Sequence, residues 1–216
     1  MNEDEAWRAI DAQRGRLCDV LDDLSEAEWR QASLCAGWTV RDVAAHLTFA
    51  QARIVELLPE LVRTWGGIAR LTRESARRRA AAWPTSRTTG AIRDMIGSRR
   101  HVQGVTFNET LIDILVHSQD IALPLGRPLD VPADAAAHAA SRVWAPGYRM
   151  WPRSRFAGYR LTASDVEWAA GEGQPVHAPI AAILLLLTGR TRAALPALSG
   201  PGAAPLTSAL AAADVS

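Results

Sequence analysis

The 216-residue chain contains no lysine: all 24 of its basic residues are arginine. Asparagine occurs only at Asn2 and Asn108 while alanine is abundant, a pattern that points to the GC-rich genome of a bacterium. A charge excess of either sign is also missing. With 24 basic against 23 acidic residues there is no global field to recruit nucleic acid or a membrane surface, so small partners are expected. Cysteine is scarce, and Cys18 and Cys35 form no CxxC pair, so both are expected as free thiols in a reducing compartment. No apolar run approaches the ~20 residues needed to cross a bilayer. The longest, Pro179 to Leu187, reads as a buried helix. Glu3, Asp4 and Glu5 stand where a secretory signal would be basic and then apolar, so a cytoplasmic location is expected.

Helical periodicity fills much of the rest. Trp7, Ile10, Leu17, Val20, Leu21 and Leu24 give an amphipathic helix from Glu5 to Leu24. Ser25 with Glu28 has capping-box spacing and starts a short turn through Trp29; Thr39 with Asp42 has it again. The second box opens a long helix with Val40, Val43, Ala44, Leu47, Ala50, Ile54, Leu57, Leu58 and Leu61 on its buried side, ending near Gly66-Gly67. Ile68 to Ala82 is helical but polar, Trp83-Pro84-Thr85-Ser86 interrupts it, and a further segment runs from Thr89 to Arg100. Another helix spans about Phe107 to Leu123, stopped by Pro124 and Gly126, and a last one Ala133 to Trp144. Short connections between such helices imply an up-and-down bundle over residues 1–150. Pro146-Gly147 and Trp151-Pro152 mark the boundary of a small α+β domain, residues 151–216. It should hold strands at Phe156 to Thr162 and Val166 to Ala170, a turn at Gly171 to Pro175 and a helix at Pro179 to Thr188. The stretch from Ala193 onward gives only weak signals.

Three residues have metal-ligand character. Asp113 and His117 are four apart on one helix, with Cβ atoms about 5–6 Å apart, and His46 lies on the inward stripe of another. Each has a plain alternative, a core histidine or a chance local hydrogen bond. An unpaired carboxylate on a buried helix face, however, is costly unless it is paired or ligates a metal. Two imidazoles and one carboxylate leave coordination positions free, the mark of catalytic rather than structural zinc sites. Asp120, three residues after His117, is placed to accept the other ring N–H of a ligating histidine; as a plain acid it would sit at a helix end where the dipole disfavours it. Glu109, one turn before Asp113, is either a ligand, a base or a solvated first-turn acid. Cys35 is either a thiol activated near a helix N-terminus or a buried, inert one. Arg70, Arg73, Arg77, Arg78 and Arg79 form either an anion-binding patch or a solvated helix face. His101, His138 and His177 lack spaced partners.

The string Trp29, Ser33, Cys35, Gly37-Trp38-Thr39-Val40-Arg41-Asp42-Val43, His46-Leu47, followed by His117, Asp120-Ile121-Ala122 and Leu125-Gly126, resembles the mycothiol-dependent maleylpyruvate isomerase family of the DinB-like metalloenzyme superfamily. Leu161-Thr162, Asp165-Val166, Trp168, Gly171, Pro175-Val176, Leu184 to Leu187 and Thr188-Gly189-Arg190 are similar to that family's small second domain. The resemblance implies a mainly α fold, a DinB-like bundle followed by a small α+β domain. It implies His46, Asp113 and His117 as ligands of Zn²⁺ or another divalent metal, and mycothiol as thiol cosubstrate, in keeping with an actinobacterial source. The family commonly has Glu where this chain has Asp113, so the shorter side chain must bring its helix nearer the metal or bind through one oxygen.

The expected activity is therefore addition of a metal-activated thiolate to a small electrophile, giving isomerisation if the thiol leaves again or S-transfer if it stays. Arg190 would bind a substrate carboxylate, or else serve as a structural helix-end arginine. The protein would act as a monomer or homodimer without nucleic acid or membrane. Two other classes fit the same ligands: a non-catalytic metal-binding regulator, and a non-haem iron enzyme, whose facial triad is also two histidines and a carboxylate.

Overall fold

The computed structural model describes residues 1–52, 67–102, 104–146, 148 and 153–213, and it falls into two compact units, Asn2–Asp130 and Val131–Ser216. The division falls before the boundary expected near residue 150, and the helix Ala133–Trp144 packs on an apolar helix of the second unit. The described residues contain no helix long and apolar enough to cross a membrane.

In the first unit α1 (Glu3–Asp22), α2 (Glu26–Trp29) and α3 (Val40–Leu47) each start at a complete capping box, at Asn2, Ser25 and Thr39. The two boxes legible in the sequence thus form as expected, because each Ser or Thr satisfies an orphan helix N–H while the acid three residues on returns the bond. α4 (Gly67–Ala82), α5 (Thr85–Arg93) and α6 (Phe107–Ala122) follow. α6 is the central element: α1 and α3 both pack on it, and Leu111, Ile114, Leu115 and Ile121 are buried against them. A buried polar link joins α1 to α6, where Gln13 Nε2 donates to Ser118 Oγ at 2.8 Å.

The long helix expected after Thr39 instead stops at Leu47. The Thr48 hydroxyl donates to the Ala45 carbonyl, and the amides of Phe49 and Ala50 turn back to His46 and Leu47, three residues earlier. That switch tightens and ends an α-helix. The expected Ile54, Leu57, Leu58 and Leu61 lie outside the described residues. α5 begins at Thr85, earlier than expected: Pro84 occupies the N-cap in the extended conformation of such a residue, with φ −65° and ψ 152°.

The arginines of α4 do not form one free patch. Arg77 Nη2 donates to the Gly37 carbonyl at 2.6 Å, and the Arg79 guanidinium lies 3.5 Å from the Phe49 ring centre while donating to Thr48. At the far side Arg127 bridges Asp23 and Glu28, tying the α6 exit to the α1–α2 corner.

The second unit comprises α7 (Ala133–Trp144), a 3₁₀ turn at Arg153–Phe156, β1 (Gly158–Ala163), β2 (Ala169–Gly171), β3 (Gly173–Ala178), α8 (Ile180–Leu187), α9 (Thr191–Ala194), another 3₁₀ turn and α10 (Ala203–Ala213). The sheet order is β2-β1-β3, with β1 antiparallel to β2 and parallel to β3. Where a turn was expected at Gly171 to Pro175, the chain instead passes around the start of β1 and becomes a third strand. Glycine makes the passage feasible: Gly171 and Gly173 have φ +80° and +120°, and a Cβ on Gly173 would fall onto the Gly158 carbonyl. Pro175 is tolerated because β3 is an edge strand of this sheet. The apolar α8 packs against α7 and β1, and its first amide is capped by Asp165 Oδ1 at 2.8 Å.

Two expectations follow. Gly173→Ala should destabilise the second unit by about 1–3 kcal/mol or more, read as a lower melting temperature. The Glu28 carboxyl is held down to about 2 by hydrogen bonds from the Ser25 hydroxyl, Arg127 and the Ser25 amide. A carboxyl depressed by folding stabilises fully above its ordinary value of 4.5, and that contribution disappears as the pH falls toward about 2. Glu28→Gln should therefore flatten the acid limb of the stability curve, measured by denaturant melts between pH 2 and 6.

Candidate metal centre

α3 and α6 bring together the three residues singled out by spacing. His46 Nε2 lies 3.3 Å from Asp113 Oδ1, and His117 Nε2 lies 3.4 Å from the same oxygen. All three donor atoms fall within 4.8 Å of one another. In a tetrahedral zinc site with bonds of about 2.0–2.1 Å, ligand atoms stand about 3.3–3.4 Å apart. The side chains are 19%, 32% and 15% exposed, so the group opens partly to solvent. The carboxylate buried without exposure is Asp120 and not Asp113.

Asp120 acts on the other edge of His117. Its Oδ2 accepts the His117 Nδ1–H at 2.7 Å, which fixes that proton on Nδ1 and leaves Nε2 turned toward Asp113 and His46. Cys35, Asp120 and His117 form a second cluster of potential ligands sharing the same imidazole. The distances separate the two. A contact of 2.7 Å between nitrogen and carboxylate is a hydrogen bond with the proton in place, too close for two ligands of one tetrahedral ion, whereas 3.3 and 3.4 Å are not.

Charge follows the same geometry. Burial works against a charged His117, but the Asp113 carboxylate, the hydrogen bond to Asp120 and the nearby Cys35 together raise its pKa to about 10. The ring of Trp38 adds a wall: its centre lies 5.4 Å from that of His46 and 6.5 Å from that of His117, and the two imidazoles meet edge to face at 4.8 Å. Neither Trp38 Nε1 nor His46 Nδ1 has a hydrogen-bond partner among the described residues.

The remaining sequence candidates divide. Glu109 gives its carboxylate to Thr106, whose N–H and O–H both donate to Oε2, so it completes the α6 capping box. Arg190 belongs to the second unit, where it precedes α9 and donates from Nη1 to the Thr188 carbonyl at 2.6 Å. Neither cysteine is in a disulfide: Cys18 is buried, which pushes its thiol up to about 11, and Cys35 is half-buried beside Asp120. Spacing did not reveal Trp38 as a wall of the site or Cys35 as a neighbour of Asp120, because these contacts cross from the Ala32–Thr39 loop to α6. Their one local sign is Cys35-Ala36-Gly37-Trp38, a turn whose Gly37 takes φ +74° and whose Trp38 N–H returns to the Cys35 carbonyl at 2.9 Å.

In metal-free protein, Asp113→Asn removes the strongest influence favouring the His117 imidazolium. An NMR titration of that ring should then give a pKa well below about 10; an unchanged value would mean that Asp113 does not govern it.

With this geometry in view, residues 10–103 match the sequence model of the mycothiol maleylpyruvate isomerase N-terminal domain. That span includes His46 and stops short of α6. Two solved structures share the fold across 88% of this chain and 90% of theirs: the mycothiol-dependent maleylpyruvate isomerase, at TM-score 0.59 and 16% identity, and a histidine-to-alanine mutant of it, at 0.58 and 15%. No curated protein matches the chain in sequence.

Proposed function

From a chain whose residues 10–103 carry the mycothiol maleylpyruvate isomerase N-terminal domain, in the fold of that isomerase, we propose a metal-dependent enzyme that uses mycothiol to act on a small electrophile, as an isomerase or an S-transferase. His46, Asp113 and His117 would hold Zn²⁺ or another divalent ion. The observation that carries this reading is the approach of two imidazole nitrogens to one Asp113 oxygen at 3.3 and 3.4 Å, all three atoms within 4.8 Å of one another, with the far nitrogen of His117 tied to a buried carboxylate. Without a proton or a cation among them, an imidazole nitrogen facing a carboxylate oxygen at 3.4 Å opposes lone pair to lone pair.

When bound, the metal would supply the Lewis acidity that keeps a thiol ionised at neutral pH. The chain's own groups have separate tasks. Asp120 holds the His117 proton on Nδ1, so that Nε2 stays available as a donor. The Trp38 ring keeps one side of both imidazoles dry and limits how they turn. Asp113, shorter than the glutamate common in the family, offers one oxygen to both histidines. A proton and a metal compete for His117 Nε2, so metal affinity should rise with pH toward about 10.

The decisive experiment is a coupled assay of zinc-loaded protein with mycothiol and a panel of electrophiles, maleylpyruvate among them. Wild type should consume an electrophile only when mycothiol is present, and His117→Ala should lose more than the 10–100-fold typical of a perturbed outer contact. Equal rates in the two proteins would remove the catalytic assignment. Metal analysis of protein purified without added metal separates the neighbouring readings. Iron would indicate oxygen chemistry; zinc with no thiol or electrophile consumed would indicate a regulator.

A further inference from the structure

The Ala32–Thr39 loop is built against α6 at one residue. The Leu34 N–H donates to the Asp120 carbonyl at 3.1 Å, and Cys35 Sγ lies 3.1 Å from Asp120 Oδ2. That oxygen is the one that accepts the His117 Nδ1–H, and Cys35 Sγ is 3.7 Å from the same nitrogen. The loop is held in turn by Ser33, whose hydroxyl bridges the Cys35 amide and the Trp38 carbonyl, and by Arg77 on the Gly37 carbonyl. Asp120 is completely buried. A donor on the oxygen of a buried carboxylate restricts rotation about its Cβ–Cγ bond and offsets its lost hydration, and Cys35 and His117 both act on Oδ2.

We propose that Cys35 is a positioning residue for the metal centre: its S–H, donated to Asp120 Oδ2, sets the carboxylate that orients His117. The inference rests on His117 being a metal ligand, as proposed above. It assigns the half-buried thiol a task other than nucleophile or ligand.

The test uses full-length Cys35→Ala and Cys35→Ser beside wild type. By chelator competition, Cys35→Ala should bind zinc about 10-fold more weakly or worse, while Cys35→Ser, which keeps an O–H donor, should recover most of that loss. A second readout needs no metal. The infrared S–H band that disappears in Cys35→Ala should lie at the low frequency of a strongly hydrogen-bonded thiol, and should rise in Asp120→Asn, whose amide oxygen is a weaker acceptor. Zinc affinity unchanged in Cys35→Ala, Cys35→Ser as weak as Cys35→Ala, or a band at the free-thiol frequency would each overturn the inference and leave the metal reading standing. Failure of wild type to bind zinc would overturn both.

Discussion

The hydrogen bond from His117 Nδ1 to Asp120 Oδ2 is the contact on which the centre depends. It is one helical turn long, i to i+3, and lies at the end of α6, where the helix dipole works against a carboxylate. Burying that carboxylate completely adds a desolvation cost of several kcal/mol. Nothing in helix stability favours an acid there. The bonds it makes, to an imidazole, a thiol and through its backbone to the Leu34 amide, explain how it is tolerated and what it does. It turns the face of His117 toward α3 and anchors the loop that carries Trp38.

Much of this was legible from local patterns. The capping boxes at Ser25 and Thr39, the helix that carries Asp113 and His117, and the boundaries of Ala133–Trp144 all rest on interactions within a few residues, which spacing reports directly. The convergence of His46 with the Asp113/His117 pair is the exception, a contact across 67 residues that was legible because helical spacing turned both sides inward. What remained hidden was set by contacts far apart in the chain. The end of α3 at Leu47 depends on a hydroxyl competing for one carbonyl, inside a run whose periodicity continues unbroken. The third strand depends on a passage around β1 that glycines permit but do not announce. Grouping of Ala133–Trp144 with the second unit depends on which apolar face it meets, and its own pattern is indifferent to that.

Asp113 is not the buried acid that its helix face suggested. It is a third exposed, so the cost of isolating its charge is modest. Its significance lies in having one oxygen within 3.4 Å of two imidazole nitrogens that approach from different helices.

A lysine-free chain also shapes how the centre is supported. Arg77, Arg79 and Arg127 each act through the planar fork of a guanidinium, by donating to a loop carbonyl, stacking on Phe49 or bridging two acids. An ammonium offers a point charge and would reproduce none of these as well. Within the centre itself the charge that faces Asp113 at close range is that of the His117 imidazolium, 3.4 Å from its Oδ1. Asp113 favours that charge, and its Coulombic attraction is what raises the imidazole's pKa against burial. A divalent ion held there as proposed would take the place of the His117 Nε2 proton, since both answer the same carboxylate oxygen.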